Sequence, residues 1–138
     1  MNAQLIESSL EAVAERVGDP SAQVYEKLFA MAPELRELFV RDTDGSVRGQ
    51  MLQQVFETIL DLVGENLYAE VLIGTEWVNH QSLGVPSRQF ELFFDAMIAS
   101  FRDILGDQWT SEMEQAWRAV TRRVSDIIAR RAEPAAAH

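Results

Sequence analysis

The sequence predicts an all-α fold of about six to seven helices. Three observations predict it: apolar residues recur at helical spacing almost throughout, no stretch alternates with period two between hairpin turns, and Gly or Pro closes each apolar stripe. At 138 residues the chain fits one domain, which buries roughly two-thirds of its unfolded surface. That domain is expected over 1–132, with a flexible tail at 133–138.

Ile6, Leu10, Val13 and Val17 form the first stripe, which ends at Gly18. Asp19-Pro20 then reads as a cap followed by proline in the first turn, so a second helix starts near residue 20 and carries Val24, Leu28 and Phe29 inward. Pro33 stops it near Ala32, because proline has no amide to donate and restricts the residue before it. A short third helix is expected from Pro33 to Phe39, then a polar loop over 41–46. The long stripe Met51, Leu52, Val55, Ile59, Leu62 and Val63 ends at Gly64. A helix from about Leu67 to Ser82 follows, with Gly84 as its left-handed cap and Pro86 preventing continuation. Phe90, Phe93, Phe94, Met97, Ile98, Phe101, Ile104 and Leu105 have the cleanest periodicity, which makes this helix central to the core. After Gly106, Ser111 with Glu114 reads as a capping box for a last helix carrying Met113, Ala116, Trp117, Val120, Val124, Ile127 and Ile128.

The composition, 47% apolar and 25% charged, is that of a soluble globular protein. Its apolar runs are far shorter than the roughly 18 residues that span a bilayer, so no membrane association is expected. The N-terminal residues carry an acid and run into an amphipathic stretch, unlike a secretory leader, which leaves a cytoplasmic location as the expectation. The absence of cysteine removes disulfides, zinc thiolate sites, iron–sulfur clusters and cysteine nucleophiles together. A formal charge of −10 repels a phosphate backbone, and Arg118, Arg122, Arg123, Arg130 and Arg131 are spaced like the outer face of one helix. Nucleic-acid binding is therefore not expected.

Of the two histidines, His138 lies in the tail, leaving His80 as the one candidate for an ordered imidazole. A lone helical histidine is most often a surface or packing residue. Zinc wants three or four protein ligands, and no such set stands out; haem supplies four nitrogens itself and needs as little as one axial ligand from the chain. Glu112 with Glu114, and Asp42 with Asp44, read as solvated helix-dipole partners or turn formers before catalytic carboxylates. The phenylalanine stripe reads as core first and pocket second.

Three segments then resemble the bacterial single-domain haemoglobins, globins related to the haem domain of flavohaemoglobins. Val24 to Phe39 is similar to that family's second and third helices; the resemblance makes Tyr25 the distal-pocket tyrosine and Phe39 the ring that packs on the haem. His80-Gln81-Ser82-Leu83-Gly84-Val85 is similar to its proximal-histidine segment, which makes His80 the iron ligand. Leu105 to Thr110 with Ala116-Trp117 resembles the entry to its last helix, and the likeness spans about residues 5 to 131. Counting back from His80 without gaps puts Arg48 at the start of the distal helix and Leu52 over the sixth iron site. The short loop before that helix leaves a second register open, with Met51 and Val55 in the pocket. Val85 and Phe90 complete the implied cofactor contacts.

The departures carry weight too. Where these relatives place a proximal tyrosine and a last-helix glutamate that polarise the imidazole, this chain has Phe90 and, approximately, Ala132, which implies weaker peroxidase-type chemistry. The tyrosine usual four residues after the last helix's tryptophan is Thr121. The flavin and nicotinamide domain is not part of this sequence either, so reduction calls for an external reductase. The resemblance thus implies a globin with haem b (iron protoporphyrin IX) that reversibly binds oxygen or another diatomic gas, carbon monoxide or nitric oxide, as a monomer or homodimer. It is expected to be a ligand-binding protein before an enzyme. The alternatives are an enzyme that processes nitric oxide or peroxide, and a haem-free globin fold used for signalling or interaction. Neutral imidazole is the ligating form, so acid is expected to release haem.

Overall fold

The computed structural model describes residues 2–82, 84 and 87–132, with the side chains of all of these except 87, 88, 90, 131 and 132. Val85, the tail at 133–138 and the side chains of Phe90 and Ala132 thus lie outside the described residues. Among those described, the fold is all-α: α1 (Ala3–Val17), α2 (Ser21–Met31), a 3₁₀ helix (Pro33–Phe39), α3 (Ser46–Val63), α4 (Ala69–Ser82), α5 (Ser87–Leu105), a 3₁₀ turn (Gly106–Gln108) and α6 (Ser111–Ala132).

Local chemistry sets most of the boundaries. The Asn2 side chain accepts from the Leu5 amide and caps α1, and Gly18 closes it at φ 70°. The Asp19 carboxylate accepts from the Ser21 amide at 2.9 Å, so α2 starts where the Asp-Pro pair places it. The segment after Pro33 is a helix of the tighter 3₁₀ kind. Gly84 stands at φ 85° and donates to Gln81 O just past α4, as expected of a left-handed cap.

Three helix starts differ from the sequence reading. α3 begins at Ser46, a full turn before the apolar stripe, because Asp42 accepts from the amides of Val47 and Arg48. α4 is started by Asp61 of the preceding helix, whose carboxylate accepts from the amides of Leu67, Tyr68 and Ala69 at 2.8–3.1 Å. The α6 cap is Thr110 and not Ser111: its hydroxyl accepts from the Met113 amide, while Glu114 binds the Trp109 indole, Arg102 and Arg118 instead of closing a capping box.

α5 is the central helix, packed against α2, α1, α6 and α4. Its Met97, Ile98, Phe101 and Leu105 are wholly buried in one core with Ile6, Val13, Ile59, Trp117 and Val120. Trp117 packs edge-on to Phe101 and donates to the buried Ser9 hydroxyl at 2.7 Å, joining α6 to α1. A second cluster, Tyr25, Leu28, Phe29, Leu35 and Ala96, fills the space between α2, the 3₁₀ helix and α5. α4 is tied to α6 by Glu70, which meets Arg123 at 2.9 Å. Arg118 pairs with Glu114 and Asp95, so the basic cluster of the last helix is partly neutralised by its neighbours.

Candidate functional site

A mostly apolar cleft lies between α2 and the 3₁₀ helix, α3, α4 and the start of α5. Its cavity volume is about 130 Å³. Leu28, Tyr25, Leu35, Leu38 and Phe39 line one side; Met51, Val55, Thr58 and Ile59 come from α3; Leu72, Ile73, Glu76 and His80 come from α4; Phe93 and Phe94 come from α5.

His80 reaches this cleft from the last turn of α4. Its Nδ1 stands 2.7 Å from the Glu76 carbonyl oxygen one turn earlier, the geometry of a ring N–H donating to the backbone. In that tautomer the ring's lone pair is on Nε2, the form in which imidazole binds a metal. The Glu76 carboxylate oxygen Oε2 is 3.9 Å from the same Nδ1.

Tyr25 occupies another wall of the cleft. It is 1% exposed, and its ring packs at 5.3 Å from Phe39, 5.5 Å from Phe93 and 6.0 Å from Phe29, centroid to centroid. Its hydroxyl has no hydrogen-bond partner, and of the buried side-chain polar atoms without one among the described residues it is the one that lines the cleft. Burial pushes its phenol far above the usual tyrosine range; the Arg48 charge opposes this more weakly and Asp42 adds to it. The group therefore stays protonated and keeps a proton to donate. An unsatisfied buried hydroxyl costs on the order of 1–3 kcal/mol, so a ligand that accepts from it recovers that cost. The Thr58 hydroxyl, by contrast, already donates to Gln54 O at 2.7 Å.

Phe39, Tyr25 and His80 thus converge on one cleft. Leu52 does not: it is 1% exposed and points into the main core and toward a separate recess under α1, while Met51 and Val55 face the cleft. Neighbouring helical positions differ by about 100° in direction, so a cleft on the Met51–Val55 side turns Leu52 away. Of the two registers, the residues that line the cleft are those of the second, Met51 and Val55. Arg48 is also outside the cleft lining. Its Nε binds Asp42 Oδ2 and its Nη2 binds Asp42 O, both at 2.9 Å, so the guanidinium is held at the start of α3. Asp42, read from sequence as a solvated turn former, is buried; although burial opposes its charge, the Arg48 and Val47 amides and the guanidinium hold its carboxyl below the usual range. The expected contacts at Val85 and Phe90 lie outside the described residues.

Sequence reasoning missed Glu76, Leu28, Ile73 and Gln89 as lining residues. The first carries a readable signal, since position i−4 lies on the same helix face as His80. Phe93 and Phe94, read from sequence as core first and pocket second, are both: each packs in the interior and also lines the cleft.

The residues present fit a haem. The cleft is apolar as a porphyrin face requires, offers one imidazole for an axial ligand, and includes in its lining a residue with an orphaned buried donor, Tyr25. Comparison with known proteins agrees. The globin family model matches residues 22–128. A flavohemoprotein of Rhizobium meliloti (strain 1021) is 26% identical over 107 residues, covering 76% of this chain and 26% of that protein. One from Halalkalibacterium halodurans is 22% identical over 128 residues, covering 91% of this chain and 31% of that protein. A leghemoglobin of Canavalia lineata is 26% identical over 124 residues, covering 82% of this chain and 81% of that protein. The chain thus spans about a quarter to a third of the length of these flavohemoproteins and most of the leghemoglobin. It belongs to the globin family, whose typical cofactor is haem b and whose general function is to bind that group with a small ligand.

Proposed function

We propose that this chain binds haem b through His80 and takes up a diatomic gas reversibly, oxygen first. The observation that carries the reading is the placement of the His80 imidazole and the unpartnered Tyr25 hydroxyl on one apolar cleft. Haem, when bound, supplies the iron on which a diatomic gas is held. The chain's residues do the rest. His80 ligates through Nε2 while its Nδ1 proton is held by the Glu76 carbonyl, which fixes both tautomer and ring orientation. Phe39 would offer an aromatic face to the group, and Leu28, Met51 and Val55 line the cleft with apolar surface that would exclude water from it. Tyr25 holds one donor where a ligand gathering partial negative charge is stabilised, which favours oxygen over carbon monoxide.

The test is spectroscopic. The purified protein is expected to take up haem and show an intense Soret band. His80→Ala should greatly weaken haem retention while far-ultraviolet circular dichroism stays helical, because the cores described above do not depend on the imidazole. A Soret band unchanged in His80→Ala would sink the assignment.

A further inference from the structure

We infer that Glu76 is the carboxylate that polarises the proximal imidazole in this chain, acting through His80 as a positioning residue. This rests on the reading of His80 as the iron ligand. The positions from which the resembled haemoglobins draw a proximal tyrosine and glutamate hold Phe90 and Ala132, neither of which can accept the Nδ1 proton. Glu76 stands one helical turn before His80 and approaches the same nitrogen twice: its backbone oxygen at 2.7 Å and its carboxylate Oε2 at 3.9 Å. Glu76 is also among the residues that line the cleft, and its carboxylate stands on the His80 face of α4.

The chemistry follows from where that charge lies. A carbonyl dipole alone orients an imidazole N–H, whereas an added negative charge draws the proton further from Nδ1 and leaves more electron density on Nε2. The proton stays on Nδ1, donated to the Glu76 carbonyl oxygen, while the carboxylate at 3.9 Å acts through its charge and accepts no hydrogen bond, so no bond is broken. Because the imidazole, the carbonyl and the carboxylate share one helix at i and i+4 spacing, these two contacts are local to α4. An ordinary surface Glu–His pair at this spacing would add a little helix stability and leave the ligand's electronic character unaltered.

The experiment uses the haem-loaded full chain with Glu76→Gln, which keeps shape and removes charge, and Glu76→Asp, which keeps charge on a shorter arm. Resonance Raman of the ferrous protein reads the iron–imidazole stretching frequency, and a redox titration reads the midpoint potential. Glu76→Gln should lower the frequency and move the potential to more positive values, with Glu76→Asp between it and the parent. Frequencies and potentials equal in Glu76→Gln and the parent overturn the role of Glu76 while leaving His80 as ligand. A parent protein with haem but no iron–imidazole stretch overturns both.

Discussion

Tyr25→Phe separates two consequences of one hydroxyl, with opposite signs. The substitution keeps the ring and its edge-on contacts with Phe39 and Phe93, and removes an oxygen that is buried without a partner. In the haem-free protein that oxygen is a desolvated group with nothing in return, a situation worth about 1–3 kcal/mol against folding. The haem-free variant should therefore be more stable than its parent by about 1 kcal/mol, the low end of that range, read as a higher urea midpoint at unchanged slope. On the proposed function, the same hydroxyl would donate to the gas held by the haem-loaded protein. Hydrogen bonds of that charge-assisted kind contribute about 1.5–3 kcal/mol, so its loss should speed oxygen release by about 10- to 150-fold in stopped-flow, with carbon monoxide release changed far less. Equal oxygen release from parent and Tyr25→Phe would refute the donor role. A haem-free variant less stable than its parent would show that the hydroxyl has a partner after all.

Arg48→Ala should leave oxygen release within about twofold of the parent, since the guanidinium is held by Asp42, and should instead lower stability by stripping a buried carboxylate of its cation; a large kinetic effect in stopped-flow would transfer the distal role to Arg48. Ser9→Ala leaves the Trp117 indole N–H buried without an acceptor and should cost about 1–3 kcal/mol in urea denaturation without altering haem uptake. Acid should destabilise the fold through its cap carboxylates. Asp42, Asp44 and Asp61 stand below their unfolded values, so their contribution is complete above about pH 4 and is lost as pH falls through the lower folded values. Urea midpoints measured from about pH 7 down to about pH 3 should show this, and Asp61→Asn should flatten the acid limb; an unchanged limb would count against Asp61 as the α4 cap.

The parts of the fold legible in the sequence are those set by local chemistry. Gly18, Pro33, Gly64, Gly84 and Gly106 each mark a break because backbone freedom or a missing amide acts where the residue stands. The starts of α3 and α4 were not legible to the turn, because Asp42 and Asp61 cap them from four to eight residues away in sequence. An apolar stripe cannot report a first turn whose residues are exposed, as Ser46, Val47 and Gln50 are. Thr110 and Ser111 differ by one residue, and the choice between them was decided by Glu114, which the Trp109 indole and two arginines recruit away from the helix start.

The site was legible in the same uneven way. Tyr25, Phe39 and His80 sit in segments whose residue types are informative together, and the cleft gathers all three. Leu52 and Met51 could not be separated by counting back from His80, because the short loop before α3 leaves the register of that helix open by the residue pattern alone. Only the three-dimensional direction of α3 decides which of two adjacent apolar residues faces the cleft and which joins the core. Glu76 illustrates the converse. Its i−4 relation to His80 is plain in the sequence, yet a glutamate there reads as an ordinary solvated helix residue until the fold places the histidine on a cleft and the carboxylate beside the ring nitrogen. Spacing along a helix gives proximity, while the chemical meaning of that proximity comes from what the shared face is turned toward.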